Sequence, residues 1–290
     1  MSGWQLYEAK LLARSAMHQG WHALGLIRRT RYYIPPRSVW GYVVSQAAAW
    51  KEVQGEGACR YKNAATYLKD RLLFTGLFFE YEDNEGWHCC RPAYEEDGLN
   101  YGDFSAASFE YRFVFSQASA ALDPLRLTAL DGALHEAEYL AMTDPVSGGR
   151  VRYRGHLFVR GLEVQRLKTL FFQPVFGGSR GYGWGETSLD GELTPCTGKF
   201  LGAFEVKEGP DGACLVETET GGYAPAPVLV EGATEELIGD VEVLTGRAWD
   251  AGAGPGRKVD SGQLCWSPGS RFVRSGKYKV GAQGVWSKNA

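Results

Sequence analysis

A glycine-rich stretch, Val175–Glu186, constrains the fold of this chain more than any other feature of its sequence. It reads VFGGSRGYGWGE, with five glycines in nine residues and Ser179, Arg180, Tyr182 and Trp184 between them. Glycine lacks a Cβ atom, so its backbone approaches a ligand closely and adopts positive φ angles. Bare backbone N–H groups, one fixed positive charge and two aromatic faces are typical of a nucleic-acid-binding surface. The alternative is a hairpin turn that packs on itself, and the stretch alone favours neither.

Two common kinds of glycine loop are excluded. A phosphate-binding P-loop ends in Gly-Lys-Ser/Thr, and no such tripeptide follows here. A dinucleotide-binding fingerprint opens a helix within an early βαβ unit. This stretch instead follows the strand-like run Leu167–Phe172 and leads into a polar segment without helical periodicity.

The length and composition allow one large domain or two small ones in 290 residues. The 38 glycines favour strands and turns over long helices. No apolar run is long enough to cross a membrane, and Met1–Gln5 lacks the charged-then-apolar pattern of a secretion signal. We therefore expect a cytoplasmic protein with no membrane partner.

The six cysteines include no CxxC pair. Cys89 and Cys90 are adjacent, a spacing that suits neither a zinc site nor a disulfide. We expect reduced thiols, no metal site and no cofactor.

The formal net charge is −3, but the charges are unevenly distributed. The first eighty residues carry eleven Lys and Arg against five Asp and Glu, and the tail from Arg257 is also basic. Acidic residues collect in Glu82–Asp103 and Glu205–Glu242. A chain polarised in this way presents a basic groove while staying acidic overall. The alternative is a scatter of charges over solvated faces.

Secondary structure is predicted from periodicity and turn residues. Strands are predicted over Gln5–Ala13, Leu77–Tyr81, Trp87–Arg91, Phe109–Gln117, Arg150–Val159, Val206–Val216, Tyr223–Val230, Arg271–Tyr278 and Val280–Trp286. Helices are predicted over Val39–Trp50 with Ser38 as the N-cap, over Asn63–Phe74 and over Gly161–Leu170. Leu134–Met142 and Glu242–Trp249 fit either state. Loops are predicted over Arg14–Gly25, Glu95–Asp103 and Ala251–Gly256, with a hairpin turn at Gly148-Gly149.

This order of elements predicts an α+β fold. Residues 1–190 form a ferredoxin-like (RRM-like) βαββαβ domain that carries the glycine-rich loop. Residues 191–290 form a smaller, β-rich second domain.

Three segments occur in a characteristic order: Tyr32–Gly41 (YYIPPRSVWG), Leu122–Glu138 (LDPLRLTALDGALHEAE) and Phe176–Gly185 (FGGSRGYGWG). They resemble three elements of the RAMP superfamily of CRISPR effector proteins. These are the Tyr-Ile-Pro-Gly-Ser element that opens the first helix, the mid-domain segment ending in Gly-x-Leu-x-x-x-Glu, and the glycine-rich loop. The resemblance covers the first two-thirds of the chain and implies an RNA-binding ferredoxin-like domain.

The tail carries a more particular resemblance. Cys265–Phe272 (CWSPGSRF) and then Gly276–Gly284 are similar to the end of the type III subunit that caps the 5′ handle of the guide RNA (crRNA). That resemblance implies two ferredoxin-like halves, the second degenerate. It also implies a non-catalytic RNA-binding subunit of a type III-like CRISPR ribonucleoprotein. Its expected partners are the crRNA handle, the large polymerase-like subunit, the RAMP backbone subunits and, indirectly, target RNA.

Two positions depart from the family pattern. The helix-opening glycine is Pro36 here, which stiffens the loop and removes a backbone N–H. The Asp-Arg start of the mid-domain segment appears as Asp123-Pro124, with the nearest base at Arg126.

Other functions remain open at this point. A metal-independent ribonuclease of the superfamily uses a histidine near the first helix as general acid/base, and His18 and His22 fit by position. The alternative for each is a loop histidine bound to backbone or phosphate. A repeated backbone subunit that polymerises along the guide is a second alternative. Such subunits cut target RNA with a loop aspartate, whereas Gly20–Tyr33 contains no acidic residue, which argues against target cleavage. An unrelated carbohydrate- or protein-binding β domain explains the aromatic residues but not the ordered segments.

The predicted RNA-binding surface combines arginines, aromatic residues and bare backbone. Arginine makes planar, bidentate phosphate contacts, and aromatic rings stack on unpaired bases. For the tryptophans the alternative is core packing. The predicted RNA-binding residues are His18, Trp21, His22, Arg28, Arg29, Arg31, Tyr33, Arg37, Ser38, Gly177, Gly178, Ser179, Arg180, Gly181, Tyr182, Gly183 and Trp184, with His18 and His22 as the catalytic pair of the ribonuclease alternative.

Overall fold

The computed structural model describes residues 3–126, 128–250, 254–259 and 262–289. The helices are α1 (Pro36–Ala47), α2 (Gly57–Leu68), α3 (Ala106–Phe113) and α4 (Val164–Phe171), with 3₁₀ turns at Arg180–Tyr182 and Pro210–Gly212. The strands are β1 (Gln5–Ala13), β2 (Gly20–Leu24), β3 (Ile27–Thr30), β4 (Tyr33–Ile34), β5 (Leu72–Phe74), β6 (Leu77–Asp83), β7 (Gly86–Cys90), β8 (Pro92–Glu95), β9 (Gly98–Tyr101), β10 (Phe104–Ser105), β11 (Val114–Ser119), β12 (His135–Leu140), β13 (Val151–Val159), β14 (Thr187–Leu189), β15 (Thr194–Cys196), β16 (Phe204–Glu208), β17 (Cys214–Thr218), β18 (Val228–Leu229), β19 (Leu237–Ile238), β20 (Val241–Leu244), β21 (Arg247–Asp250), β22 (Gly254–Val259), β23 (Gln263–Trp266), β24 (Arg271–Phe272), β25 (Gly276–Val280) and β26 (Trp286–Lys288).

The first sheet has the strand order β14-β1-β13-β6, with β4 beyond β6. Each neighbouring pair is antiparallel, and Ala9 of β1 lies opposite Gly155 of β13. Helices α1 and α2 lie between β1 and β6 in the chain, and α4 lies between β13 and β14. This is the strand order of a split βαβ, ferredoxin-like unit. The ferredoxin-like α+β prediction is confirmed.

One face of this sheet packs against the helices. Alternate residues of its strands, such as Leu11, Phe79 and Tyr153, are fully buried in a core that also contains Val43 of α1 and Phe171 of α4. The two-residue period of the strands places these side chains on a single face. The helices bury their apolar stripe on it.

The opposite face carries a second core. Leu6, Leu73 and Phe158 of the first sheet pack with residues of the second half, including Phe204 and Trp286. The second half contains a seven-stranded sheet, β16-β17-β25-β26-β18-β23-β20, and the two-stranded sheets β19-β24 and β21-β22. Strand β15 pairs with β1, so the first sheet extends past residue 190. A domain boundary at that residue stays a prediction.

Beside this second core the same face is charged. Arg152 contacts Glu80 at 2.6 Å, and Arg154 contacts Glu8 at 2.6 Å. The Arg152 guanidinium also lies 3.7 Å from the centre of the Trp87 ring. These cations are already paired, which satisfies the carboxylates that the sheet buries.

Three predictions around the first core are wrong. The segment Phe109–Gln117 alternates like a strand, but its first part is α3 and only β11 is extended. Phe109 and Phe113, four residues apart, are both buried, whereas Tyr111 is 92 % exposed. The Ser105 hydroxyl caps this helix by accepting the Ser108 N–H. Part of the predicted loop Arg14–Gly25 is β2, and part of the acidic loop Glu95–Asp103 is the hairpin β8–β9.

The helix boundaries also differ from those predicted. Ser38 is not the N-cap of α1: Pro35 occupies that position and Pro36 the first helical one, where a missing N–H costs nothing. Helix α2 begins six residues earlier than predicted, and the end of the predicted helix is β5. The strand-like run Leu167–Phe172 is instead the second half of α4 and its C-cap residue, Phe172.

In the second half, the predicted strand Val206–Val216 is a hairpin of β16 and β17. Leu134–Met142 contains a strand, β12, and Glu242–Trp249 contains parts of β20 and β21. The chain does end in a hairpin, β25–β26, but with other bounds than predicted. The predicted strand Arg271–Tyr278 is divided into β24 and β25, and most of the predicted strand Val280–Trp286 is the turn of the hairpin. Of the predicted linker Ala251–Gly256, residues 251–253 lie outside the described residues and 254–256 belong to β22. No helix of the described chain is long and apolar enough to cross a membrane.

Stability is expected to fall in mild acid because of His156. This side chain is 4 % exposed, its Nδ1 has no hydrogen-bond partner, and burial lowers its pKa from 6.5 to about 4. Between these pH values the unfolded chain binds a proton that the folded chain does not. The free energy of unfolding therefore decreases as the pH falls through this window, by about 3 kcal/mol in total.

Urea unfolding of wild type and His156→Leu at pH 8, 6 and 4.5 measures this effect. The variant is expected to lose a smaller fraction of its stability than wild type on acidification, with pH 8 as the common reference. Parallel pH profiles for the two proteins contradict the assignment.

Candidate nucleic-acid interface

The short segment Met17–Gly20, which links β1 to β2, lies at the centre of the predicted site. The carbonyl of His18 accepts the N–H of Gly178 at 2.9 Å. Two residues before His18, the carbonyl of Ala16 accepts the N–H of Gly185 at 2.8 Å. The glycine-rich loop is therefore held by backbone hydrogen bonds to the chain that leaves β1.

The base of the glycine loop needs glycine for packing. Gly177 has φ +81°, and a Cβ there would lie 2.2 Å from the His18 carbonyl oxygen. At Gly185, with φ +90°, a Cβ would lie 1.9 Å from the carbonyl oxygen of Phe176. No side chain fits at either position. For these residues the hairpin interpretation is correct, because the loop packs on itself and on its neighbour.

The tip of the loop is different. A Cβ at Gly181 or Gly183 would meet nothing within 4 Å. Arg180 and Tyr182 are exposed, Tyr182 by 58 %. Arg180 donates from Nε to the Gly177 carbonyl at 3.1 Å, and no hydrogen bond of its terminal nitrogens is found among the described residues. Ser179 adopts the left-handed region at φ 57° to start this turn. The tip thus offers bare backbone, one guanidinium and one aromatic face.

Trp184 points the other way. It is buried, with its ring centroid 4.9 Å from that of Tyr139 and 6.4 Å from that of His18. Phe176 is buried as well, so Tyr182 is the one exposed aromatic ring of the loop.

His18 is enclosed beneath the loop. It is 6 % exposed, and Nδ1 lies 2.6 Å from the carbonyl oxygen of Glu138. Because a carbonyl oxygen only accepts, Nδ1 carries the hydrogen and donates it. Burial lowers the pKa of His18, and the charge of Arg28 lowers it further. The ring is a neutral structural donor at neutral pH.

Gln19 joins this segment to the arginine-rich arm (Arg28–Arg37) and to α1. Its N–H donates to the Thr30 hydroxyl at 2.8 Å, and its carbonyl accepts the N–H of Arg31 at 2.7 Å. Its side-chain oxygen accepts the Ser38 hydroxyl at 3.0 Å. Ser38 therefore fixes the start of α1 to the site rather than capping the helix.

Glu138 completes the junction. Its carboxylate accepts hydrogen bonds from Arg29 Nε at 2.8 Å and from the Thr30 N–H at 3.1 Å. Glu138 is the last residue of the segment Leu122–Glu138. The fold therefore brings all three of the ordered sequence segments together around His18 and Gln19. Sequence reasoning did not single out Glu138 or Gln19 as site residues, although Glu138 closes one of the segments.

The arm arginines have different environments. Arg28 is exposed on β3. Burial works against the charge of Arg29, but Tyr32, Glu138 and Glu110 together hold its pKa above its usual range. Arg31 is bound to Glu242 of the second half at 2.7 Å.

The remaining predicted residues flank this core of the site. Trp21 is 48 % exposed on β2, and His22 beside it is also exposed, with 4.3 Å between the ring centroids. Tyr33 is buried with its hydroxyl 3.3 Å from Glu242. Arg37, at the start of α1, lies against Gly246 and borders a polar cleft of about 300 Å³.

Two sets of predicted residues thus emerge. The exposed set is Trp21, His22, Arg28, Arg180, Gly181, Tyr182 and Gly183. The enclosed or paired set is His18, Arg29, Arg31, Tyr33, Ser38, Gly177, Gly178 and Trp184. Among the residues described, no three His, Cys, Asp or Glu side chains are placed to hold a metal ion.

The fold and the site together define the class of protein: a ferredoxin-like α+β protein whose three ordered segments meet at one end of the first sheet.

No family model matches the sequence, and no curated protein matches it. Solved structures do match the fold. A chain of the type III-B Cmr-beta complex bound to cognate target RNA and AMPPnP aligns with a TM-score of 0.54. It is 11 % identical, and the alignment covers 97 % of this chain and 99 % of that one.

A second structure of the same kind, type III-B Cmr-beta bound to cognate target RNA, contains a chain that aligns with a TM-score of 0.50. It is 13 % identical, with 93 % of this chain and 86 % of that one covered. The chain therefore has the fold of subunits from a type III CRISPR complex. The resemblance stated from the ordered segments is confirmed at the level of the fold.

Substitution by alanine at two glycines of one loop is expected to change the free energy of unfolding by very different amounts. Gly177→Ala places a methyl group against the His18 carbonyl and forces a strained φ, so it should destabilise the protein by several kcal/mol, on the order of a severe core mutation. Gly181→Ala meets no neighbour and should change stability by less than about 0.5 kcal/mol. Chemical denaturation of both variants measures this. Equal effects contradict the division of the loop into a packed base and an open tip.

Proposed function

We propose that this protein is a non-catalytic RNA-binding subunit of a type III-like CRISPR ribonucleoprotein and that it binds the 5′ handle of the crRNA. The observation that carries the proposal is the junction at His18 and Gln19. It places an exposed arginine, an exposed tyrosine and open glycine backbone on one rigid framework. The shared fold with chains of RNA-bound complexes supports the same conclusion.

The exposed set is assigned the direct contacts. Arg28 and Arg180 bind phosphate, and the open backbone at Gly181 and Gly183 allows close approach of the RNA. Tyr182 and Trp21 stack on unpaired bases, each worth roughly 1–3 kcal/mol. The sum suffices for a short single-stranded segment held within a larger assembly.

The enclosed set is assigned a positioning role. Arg29 and Arg31 are bound to carboxylates, and His18, Tyr33 and Trp184 are buried. These residues hold the arm and the loop in place. The proposed role also includes contacts to the large polymerase-like subunit, to the RAMP backbone subunits and, indirectly, to target RNA. We place this role in the cytoplasm.

A charge swap at the exposed arginines tests the RNA site. Arg28→Glu combined with Arg180→Glu is expected to weaken binding of a labelled single-stranded RNA, carrying the repeat sequence of the same genome, by tenfold or more. The salt dependence of log K should become shallower by about 0.7 for each phosphate that the variant no longer neutralises. Filter binding across a salt titration measures both.

Lys62→Glu combined with Lys69→Glu is the matched control, since both lysines are exposed on or beside α2 and lie outside the three segments. The control is expected to bind like wild type, and both doubles should keep wild-type melting temperatures. If both double variants lose RNA affinity equally, binding depends on overall charge rather than on these two arginines, and the proposed site is wrong.

The absence of catalysis is a second expectation. A general acid/base must reach the proton it transfers. His18 is buried and commits Nδ1 to a carbonyl. Repeat RNA incubated with the purified chain should stay at full length on a denaturing gel. Cleavage that disappears in His22→Ala would instead identify a guide-processing endoribonuclease.

A further inference from the structure

A cavity of about 110 Å³ lies where the arm, the β8–β9 hairpin and the second half meet. Its walls are rich in aromatic side chains, contributed by Trp21, Tyr32, Tyr33, Tyr94 and Tyr101. Proline and leucine side chains fill the gaps between them. Aromatic faces carry negative electrostatic potential, so a cage of this kind favours a cation.

The charged groups of the cavity have the matching sign. Asp240, Glu242 and Arg31 line it, so two negative charges and one positive charge leave a formal −1. Arg31 and Glu242 already neutralise each other at 2.7 Å. None of the described ion pairs involves Asp240, so its charge is left uncompensated by the one arginine of the wall.

The negative potential extends beyond the wall. Burial raises the pKa of Tyr101, and the charges of Glu110, Glu242 and Asp240 raise it further. Burial also raises the pKa of Tyr94, with Asp240 and Glu242 adding to the shift. An RNA strand would bring phosphates close to these carboxylates, which disfavours a nucleotide here.

We propose that this cavity is a docking site for a cationic side chain, above all an arginine, of a protein partner. The guanidinium lies among the tyrosine rings of the wall and donates to the Asp240 carboxylate, which its planar fork fits better than an ammonium does. Arg28, Arg180 and Tyr182 do not line this cavity, and Trp21 at its rim is the one residue that it shares with the proposed RNA-binding set.

A pair of isosteric peptides tests the proposal on the full chain without RNA. Acetyl-Gly-Arg-Gly-amide is compared with acetyl-Gly-citrulline-Gly-amide, which has the same shape without the charge. Saturation-transfer NMR follows the ligand side-chain protons, with cytidine and guanosine as further probes. The arginine peptide is expected to bind at least about tenfold more tightly than the citrulline peptide, a difference of about 1.4 kcal/mol.

Asp240→Asn removes the uncompensated charge while keeping the shape, and it should abolish the preference for arginine. Glu231→Gln is the matched control, because Glu231 is exposed and does not line the cavity. The control should keep the wild-type preference. Equal binding of both peptides, binding of a nucleoside alone, or no binding of either peptide overturns the proposal, and none of these results bears on the charge-swap test of RNA binding.

Discussion

Hydrogen bonds around two enclosed residues, His18 and Gln19, hold the candidate site together. Through backbone and side-chain groups they bind the glycine loop, the arm and the start of α1. Glu138 closes the ring by accepting from His18, Arg29 and Thr30. A buried polar group that loses its partner costs roughly 1–3 kcal/mol. The hydrogen bonds that fix the geometry of the site therefore also stabilise the fold. They determine where the exposed residues of the loop and the arm lie.

The charge distribution separates cations that structure the protein from cations that face solvent. Arg29, Arg31, Arg152 and Arg154 all contact carboxylates. Pairing of this kind satisfies buried charge but leaves little attraction for a phosphate. Arg28 and Arg180 differ because neither lies against a carboxylate among the described ion pairs. A protein of net charge −3 thus presents unpaired positive charge at Arg28 and Arg180.

The sequence predicted the central framework well, because the main strands alternate cleanly. β1 matches its predicted bounds, and α1, α2 and α4 were each predicted in part. The error at α3 has a physical cause: Phe109 and Phe113 satisfy the period of a helix, while Phe113 and Phe115 satisfy that of a strand. The ordered segments identified the regions of the site but not the burial of its residues. Glu110 and Glu242, which neutralise the arm, lie far from it in the sequence, so periodicity carries no information about them.

The second core has a consequence for how any single strand of nucleic acid can meet this protein. In RRM domains the open face of the four-stranded sheet is the platform on which bases stack. Here that face is occupied, in part by Leu6, Leu73 and Phe158 packed beneath the second half and in part by paired charges. The face of the sheet on which bases stack in RRM domains is therefore not exposed here. The proposed RNA site therefore lies at the rim of the sheet, on projecting turns rather than on a flat surface.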